Sequence, residues 1–266
     1  ELAPDEAPQT TQKAYRVLLV EDNQTNQFIA RTILEQAGFL VETAENGLTG
    51  SDYYAAHQDE VDLILMDLHM PVMDGYAASD KIRETDGDVP IVAMTADAIS
   101  GVRENCTRHG MHHYVTKPFD PQQFIQTLLE ILANAPAKQP KKEQPAQQGA
   151  AGRILDVADG VRHIGGDETL YRLILQTYLD ESTETADGLE AALERDDFTA
   201  ARDLTHKLKS SSGSIGAAGV HHAAASLQAA LEQTQTNDAM RLFGEFSTLF
   251  KQLTAEIRAY LAESGS

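Results

Sequence analysis

The sequence is poor in cysteine and aromatic residues, and it has no long hydrophobic run. Its single thiol, Cys106, excludes a disulfide within the chain and is typical of a reducing compartment. Aromatic residues make up only 6% of the chain and tryptophan is absent, which argues against a stacking surface for carbohydrate or nucleic acid. No apolar run approaches the roughly 18 residues that a membrane span needs, and no signal peptide is visible. We therefore expect a cytoplasmic chain without direct membrane contact, which starts at Glu1 and could belong to a longer protein anchored in the inner membrane.

Basic residues are also scarce, because 21 Lys and Arg face 41 Asp and Glu and leave a formal net charge of −20. A charge of this sign repels a phosphate backbone, so we expect no direct binding of DNA or RNA. Residues 1–134 are the most acidic part, with 22 acidic and 8 basic residues. This excess fits a site for a divalent cation, although a solvated acidic surface would give the same count.

The first half of the chain alternates β-branched runs with amphipathic stretches. The candidate strands are Val17–Val20, Phe39–Ala44, Val61–Met66, Ile91–Met94 and Tyr114–Val115. The helical patterns between and after them lie near Thr25–Gln36, Gly47–His57, Gly75–Glu84, Ala98–His109 and Pro121–Leu132. The alternation predicts an α/β fold over residues 15–134, a doubly wound five-stranded parallel sheet whose functional residues gather at the carboxyl ends of the strands.

Two polar segments flank this predicted domain. We expect residues 1–14 to be a disordered lead and residues 135–152, with three prolines and four glutamines, to be a flexible linker. After the linker the β signal disappears, and apolar residues follow helical spacing from Leu170 to Leu261. The short loops there predict an all-α four-helix bundle over residues 153–266.

Carboxylates stand at the predicted ends of two strands. Glu21 and Asp22 follow the first strand, and Asp67 follows the apolar run of the third. In a doubly wound sheet these ends are neighbours, and three adjacent carboxylates predict a bound cation, for which oxygen ligands favour Mg²⁺. Thr95 after the fourth strand and Lys117 after the fifth add a hydroxyl donor and an ammonium at the same edge.

This combination supplies what phosphoryl transfer to a carboxylate requires. Asp67 can act as the nucleophile. Mg²⁺ and Lys117 would offset charge on the phosphoryl oxygens, and Thr95 would donate a hydrogen bond to one of them. Each residue taken alone is more often a cap or a loop residue, so the prediction depends on all of them falling on successive strand ends.

Residues 15–134 resemble a response-regulator receiver domain, which has a flavodoxin-like fold. The motifs that carry the resemblance are Val-Leu-Leu-Val-Glu-Asp-Asn at 17–23, Met-Asp-Leu-His-Met-Pro-Val-Met-Asp-Gly at 66–75, Met-Thr-Ala at 94–96 and Thr-Lys-Pro-Phe at 116–119. The Glu-Asp-Asn opening, followed by Asn26, resembles receivers attached to hybrid histidine kinases.

The resemblance implies roles for particular residues. Asp67 would be the phosphoacceptor and a metal ligand, beside Glu21 and Asp22. The backbone carbonyl of His69 would complete the protein's metal ligands, Thr95 and Tyr114 would be switch residues, and the Lys117–Pro118 peptide would be cis. We expect the His69 imidazole to modulate hydrolysis of the acyl phosphate rather than bind the metal, because Mg²⁺ prefers oxygen.

A histidine in the second half is the other candidate phosphoryl carrier. On the predicted helix through Phe198–Ser212, His206 shares a stripe with Arg202, Lys209 and Gly213, away from the apolar face. We therefore expect His206 to face solvent, where an imidazole is a competent nucleophile for phosphate. Lys209, one turn later, would neutralise phosphoryl oxygens. The alternative is a surface histidine without a special role.

The segment His-Lys-Leu-Lys-Ser-Ser-Ser-Gly-Ser-Ile-Gly-Ala at 206–217 resembles the signature of a histidine phosphotransfer domain. Ile164–Glu168 resembles the opening segment of that family, and the resemblance covers roughly residues 153–262. One departure is Ser210, since the family usually has Gly directly after the Lys, and it bears on how closely a partner can dock. No glycine-rich nucleotide-binding boxes are present, so kinase activity of this chain is not implied.

Together these features predict the C-terminal part of a hybrid sensor kinase that works in a phosphorelay. Asp67 would accept a phosphoryl group from an upstream histidine kinase core, expected in the same parent chain, and His206 would pass it to a separate response regulator. A flexible linker of this length reaches roughly 20–25 Å, enough for the two residues to meet.

Two other functions stay open at this point. In a regulatory binding module, phosphorylation of Asp67 would change the surface around Thr95 and Tyr114, and the bundle would be a scaffold that does not need His206. A phosphatase acting through an aspartyl phosphate is the other, and His69 argues against it because the haloacid-dehalogenase type has a second Asp at that place.

Overall fold

The computed structural model describes residues 14–85, 87–96, 100–134, 154–232 and 236–262, which form an α/β unit followed by a helical unit. The apolar runs of the first unit form five parallel strands: β1 Arg16–Val20, β2 Leu40–Ala44, β3 Leu63–Asp67, β4 Ile91–Thr95 and β5 His113–Thr116. Their order in the sheet is β2-β1-β3-β4-β5, which is the flavodoxin-like order. The predicted doubly wound α/β fold is confirmed.

Five helices cover the two faces of the sheet: α1 Gln24–Gln36, α2 Gly47–Ala56, α3 Gly75–Arg83, α4 Ser100–Arg108 and α5 Pro121–Ala133. The buried residues of α1 and α5 pack on one face, and those of α2, α3 and α4 pack on the other. Side chains of Asn23, Asn46, Asp74 and Asp120 cap four of these helices by accepting a backbone N–H three residues on. All five predicted helices are present, although residues 98 and 99 at the start of the fourth predicted helix lie outside the described residues.

The helical unit contains α6 Val157–His163, α7 Glu168–Glu194, α8 Phe198–Ser214, α9 Ala218–Glu232 and α10 Thr236–Ala262. The four long helices α7–α10 correspond to the predicted bundle, and α6 adds one short helix. In the part of the chain that the structure describes, none of the helices has the length and apolarity to cross a membrane. The predicted linker lies outside the described residues, as does almost all of the predicted lead.

A glycine in α6 lets the short helix pack closely on the bundle. The Tyr171 hydroxyl donates to the carbonyl oxygen of Ile215 at 2.7 Å, directly beside Gly160. A Cβ added at Gly160 would lie 2.5 Å from each of these two oxygen atoms.

We expect Gly160→Ala to break this hydrogen bond and to lower the free energy of unfolding by about 2–3 kcal/mol, measured by urea unfolding followed by far-UV circular dichroism. Gly219→Ala is the control, because nothing lies within 4 Å of its Cβ. Equal midpoints for Gly160→Ala and the unmodified chain would contradict this packing.

The helical unit lies against the α/β unit, with α7 and α8 in contact with α1. Buried apolar residues on the α1 and α5 side of the sheet form one continuous cluster with those of the bundle. The two units therefore share an interface, and α8 is covered on the side that faces α1.

Candidate functional site

Three carboxylates lie together at the carboxyl ends of β1 and β3. Glu21 and Asp22 follow β1, Asp67 ends β3, and one oxygen from each lies within 4.8 Å of the others. The strand order reverses between β1 and β3, and such a switch point is where ligands bind in open parallel sheets. The structure thus brings together the three carboxylates that the sequence singled out.

Lys117 joins this cluster from the loop after β5. Its Nζ donates to Asp67 Oδ2 at 2.9 Å and to Glu21 Oε2 at 3.0 Å, and all three side chains are buried. Burial alone would lower the pKa of Lys117, but the two carboxylates outweigh it and raise that pKa, so the ammonium stays charged. The Lys117–Pro118 peptide is cis, as predicted.

The pKa values of the two buried carboxyls move in opposite directions. Burial, and then the neighbouring Asp67 charge, raises the pKa of Glu21 well above its usual value. Burial would also raise the pKa of Asp67, but the Lys117 ammonium outweighs it and lowers that pKa. Asp67 therefore stays ionised at neutral pH, as a nucleophile must.

The donor set fits the predicted divalent cation. Among the described residues, two ammonium groups make ion pairs with the three carboxylates. Lys117 pairs with Glu21 and Asp67. The Nζ of Lys207 lies 2.6 Å from Asp22 Oδ2. Burial and the neighbouring Asp67 charge still raise the pKa of Glu21, so the negative charge of the cluster is not fully offset. Clustered carboxylate oxygens whose negative charge is not fully offset suit a hard cation such as Mg²⁺.

The two predicted switch residues lie on β4 and β5. Thr95 is buried at the end of β4, and its carbonyl oxygen accepts the Lys117 backbone N–H at 2.7 Å. Tyr114 is half-buried on β5, with the Arg103 guanidinium 4.5 Å from its ring centroid. Thr95 therefore borders the carboxylate cluster, and the switch roles of both residues stay predictions.

The loop between β3 and α3 folds tightly beside Asp67. The backbone N–H of His69 donates to Asp67 Oδ1 at 3.4 Å. Gly75 begins α3 against the end of β3, where an added Cβ would collide with the carbonyl oxygen of Asp67. The loop thus keeps His69 directly beside the phosphoacceptor candidate at the end of β3.

The prediction that His206 faces solvent is wrong, because the side of α8 that carries it is covered by the α/β unit. Its exposed fraction is 8%, and its ring centroid lies 4.5 Å from that of His69. Neither ring nitrogen of His206 has a hydrogen-bond partner among the described residues. The interface therefore places the imidazole beside the carboxylate cluster.

This environment keeps the His206 ring neutral. Burial, and then the neighbouring His69, lowers the pKa of His206 to about 3, although the Asp67 carboxylate opposes the shift. A neutral imidazole has one nitrogen lone pair that can attack an electrophile. His206 is thus a nucleophile at physiological pH without first losing a proton.

Two lysines flank His206 on α8, and only Lys209 was a sequence candidate. Lys209 is buried, and its charge contributes to the lowered pKa of His206, so it lies near the imidazole. Lys207 makes the ion pair with Asp22 across the interface. The sequence reasoning missed Lys207, although a cation next to the candidate histidine and a carboxylate-rich partner were both visible.

Glu181 is a second interface residue that sequence reasoning missed. From α7 its carboxylate accepts the backbone N–H groups of Gln24 and Thr25, each at 3.1 Å, and the Thr25 hydroxyl at 3.0 Å. These donors form the first turn of α1, where a helix favours a negative charge. Glu181 therefore ties α7 to the helix that follows the carboxylate pair of β1.

Comparison with known families covers both units. The family model described as the response regulator receiver domain matches residues 17–129, and the one described as the Hpt domain matches residues 173–262. The response regulator DivK of Brucella anthropi is 32% identical over 121 residues, which are 45% of this chain and 97% of that protein.

Longer relatives match both units together. The sensor histidine kinase GacS of Pseudomonas protegens is 29% identical over 254 residues, which are 92% of this chain and 27% of that protein. The chain spans about a quarter of the length of the GacS proteins that it matches. Among solved structures, the chain is similar to the receiver domain of the sensor histidine kinase PA1611 of Pseudomonas aeruginosa, which has a magnesium ion coordinated in its active site cleft. The two are 36% identical with a TM-score of 0.42. The match covers 46% of this chain and 99% of that one.

Proposed function

The chain belongs to the receiver and Hpt families of two-component signalling proteins, and on that premise we propose that it carries a phosphoryl group between Asp67 and His206. Receiver and Hpt domains in one chain, as in the hybrid sensor kinases that it matches, are the parts of phosphorelay signalling. The observation that supports the assignment of residues is the interface, which buries His206 beside the cluster of Asp67, Glu21 and Lys117.

The transfer step follows from the protonation states of the two carriers. The unprotonated ring nitrogen of His206 attacks the phosphorus carried by Asp67, a P–N bond forms, and the bond between phosphorus and the carboxylate oxygen breaks. Asp67 leaves as a carboxylate that Lys117 stabilises, and the other ring nitrogen keeps its proton. The reverse step uses the same groups.

Glu21, Asp22 and Asp67 would hold the divalent cation, which we propose to be Mg²⁺. When bound, this cation offsets charge on the phosphoryl oxygens. Lys117 supplies a fixed positive charge at the same place, and burial keeps water away from the acyl phosphate.

The test follows radiolabelled phosphate in the full chain, incubated with Mg²⁺ and a phosphorylated histidine kinase core. Phosphohistidine survives alkali and an acyl phosphate does not, so the two carriers can be told apart. We expect alkali-stable label in the unmodified chain and none in Asp67→Asn or His206→Gln. His206→Gln should instead accumulate alkali-labile label on Asp67. If label stays on Asp67 whether or not His206 is present, the relay is wrong and a regulatory module with a scaffold bundle is favoured.

The role of the His69 imidazole in hydrolysis of the acyl phosphate can be tested separately. Its ring contacts His206, and its backbone N–H reaches the Asp67 carboxylate, so its side chain borders any phosphoryl group on Asp67. We expect His69→Asn to change the hydrolysis rate of the acyl phosphate by about tenfold, measured as loss of alkali-labile label in the His206→Gln background. His109→Asn is the control, since His109 pairs with Asp80 elsewhere on the α/β unit. An unchanged rate in His69→Asn would show that its imidazole has no part in hydrolysis.

The proposed transfer between Asp67 and His206 requires a phosphoryl donor and a phosphoryl acceptor outside this chain. We propose that Asp67 receives its phosphoryl group from a histidine kinase core of the parent protein, and that His206 delivers it to a separate response regulator. Because the interface buries His206, the regulator gains access only when α8 separates from α1.

A further inference from the structure

A buried hydrogen-bond cluster crosses the interface between α1 and α8. Asn26 Nδ2 donates to Ser210 Oγ at 2.9 Å, and Ser214 Oγ donates to Asn26 Oδ1 at 2.9 Å. All three side chains are buried. One amide of the α/β unit therefore satisfies an acceptor and a donor that stand one turn apart on the opposite helix.

Ser210 is the residue that departs from the usual glycine of its family, and a glycine could not accept this hydrogen bond. We propose that the Asn26–Ser210–Ser214 cluster is a specificity determinant, by which the helical unit selects an α/β unit with an amide at position 26 over one with an apolar side chain there. The inference rests on the proposed transfer between Asp67 and His206 and names what selects the partner for that step.

The physical basis is the cost of burying a hydroxyl without a partner. Asn26 is the hydrogen-bond partner of Ser210 Oγ among the described residues, whereas the Ser214 hydroxyl has a second acceptor within reach, the Ser210 carbonyl oxygen at 3.1 Å. An apolar side chain at position 26 would leave Ser210 Oγ buried and unsatisfied on docking, while water satisfies it in the separated units. Discrimination of this kind amounts to about tenfold to a hundredfold.

Replacing Asn26 affects the carboxylate cluster as well as docking, because Asn26 Nδ2 also lies 3.5 Å from Glu21 Oε1. A double-mutant cycle between full-length chains separates these two effects. The donors are chains that carry His206→Gln and Ser210→Ala and are phosphorylated on Asp67, with or without Asn26→Ala, so that Asn26 has no Ser210 hydroxyl to bond within its own chain. The acceptors are Asp67→Asn chains, with or without Ser210→Ala. The measurement is the initial rate at which alkali-stable label appears on the acceptor.

We expect Asn26→Ala in the donor to slow transfer to the Ser210 acceptor by about tenfold to a hundredfold. With the Ser210→Ala acceptor, the same change should slow transfer by at most about threefold, because no hydroxyl is left to be stranded. An equal loss with both acceptors would assign the effect of Asn26 to Glu21 and overturn the inference. Equal rates for the two donors with the Ser210 acceptor would overturn it as well.

A second measurement needs no phosphate. The amides of Gln24 and Thr25 donate across the interface to Glu181, so their hydrogen exchange in the full chain reports docking. We expect Ser210→Ala to speed this exchange by about tenfold, and the control Ser226→Ala, which removes an exposed hydroxyl on α9, to leave it unchanged. Unchanged exchange in Ser210→Ala would overturn the inference. Faster exchange, in a chain where no label ever reaches His206, would support the docking role and refute the proposed transfer.

Discussion

Replacing Lys117 by methionine is expected to reduce phosphorylation of Asp67 by about a hundredfold to a thousandfold. The ammonium is shared by Asp67 and Glu21 in a buried site, so its removal takes the hydrogen-bond donor and the positive charge from both carboxylates. Loss of one partner from such a cluster leaves uncompensated charge, and the free energy of unfolding should fall by about 3–5 kcal/mol. The first effect is measured as the initial rate of label uptake with Mg²⁺, and the second by urea unfolding with and without Mg²⁺.

The effect of Mg²⁺ on stability separates the role of Lys117 from a general packing defect. If the carboxylates bind the cation, Mg²⁺ should stabilise Lys117→Met more than it stabilises the unmodified chain, because the cation compensates the charge that Lys117 no longer offsets. Lys81→Met is the control, since Lys81 pairs with Asp52 on the surface. Label uptake by Lys117→Met at the rate of the unmodified chain would refute the role given to Lys117.

The fold and the carboxylate pocket could be predicted because their determinants are local in the sequence. Each central strand is a run of apolar residues, and such runs alternate with helical periodicity, which fixes a parallel sheet. Once the sheet is parallel, residues that follow different strands meet at one edge. Glu21, Asp67 and Lys117 are far apart in the chain, yet the strand ends alone bring them together.

The state of His206 could not be predicted, because it depends on docking between two units. Helical spacing separated its stripe from the apolar face of α8, and the two sides do have different neighbours: Ala201 and Leu208 belong to the apolar cluster, whereas the His206 ring lies beside His69. Spacing cannot tell a stripe that faces solvent from one that faces a partner, and here the partner buries it. The interface roles of Lys207 and Glu181 could not be predicted for the same reason. Their partners, Asp22 and Thr25, lie in the other unit and more than 150 residues away.

Reversing the charge of Glu181 is the change expected to open this interface. In Glu181→Lys, the three hydrogen bonds to the first turn of α1 are lost, and a positive charge replaces the carboxylate at a helix N-terminus. Charge-assisted hydrogen bonds are roughly twice as strong as neutral ones, so we expect the docked population to fall by at least about tenfold. The reactivity of His206 with diethyl pyrocarbonate, followed by mass spectrometry, should rise accordingly.

The matched control is Glu184→Lys, which makes the same charge change on the exposed side of α7. It should leave His206 as protected as in the unmodified chain. Opening the interface should also separate the two halves of the relay: Glu181→Lys should still take up label on Asp67, because the carboxylate cluster and Lys117 belong to the α/β unit, while transfer onward to His206 in the same chain slows. If His206 in Glu181→Lys stays protected, the contact between Glu181 and α1 is not what holds the units together. If both variants expose His206 equally, the cause is the added positive charge on α7 rather than the loss of the carboxylate at the start of α1.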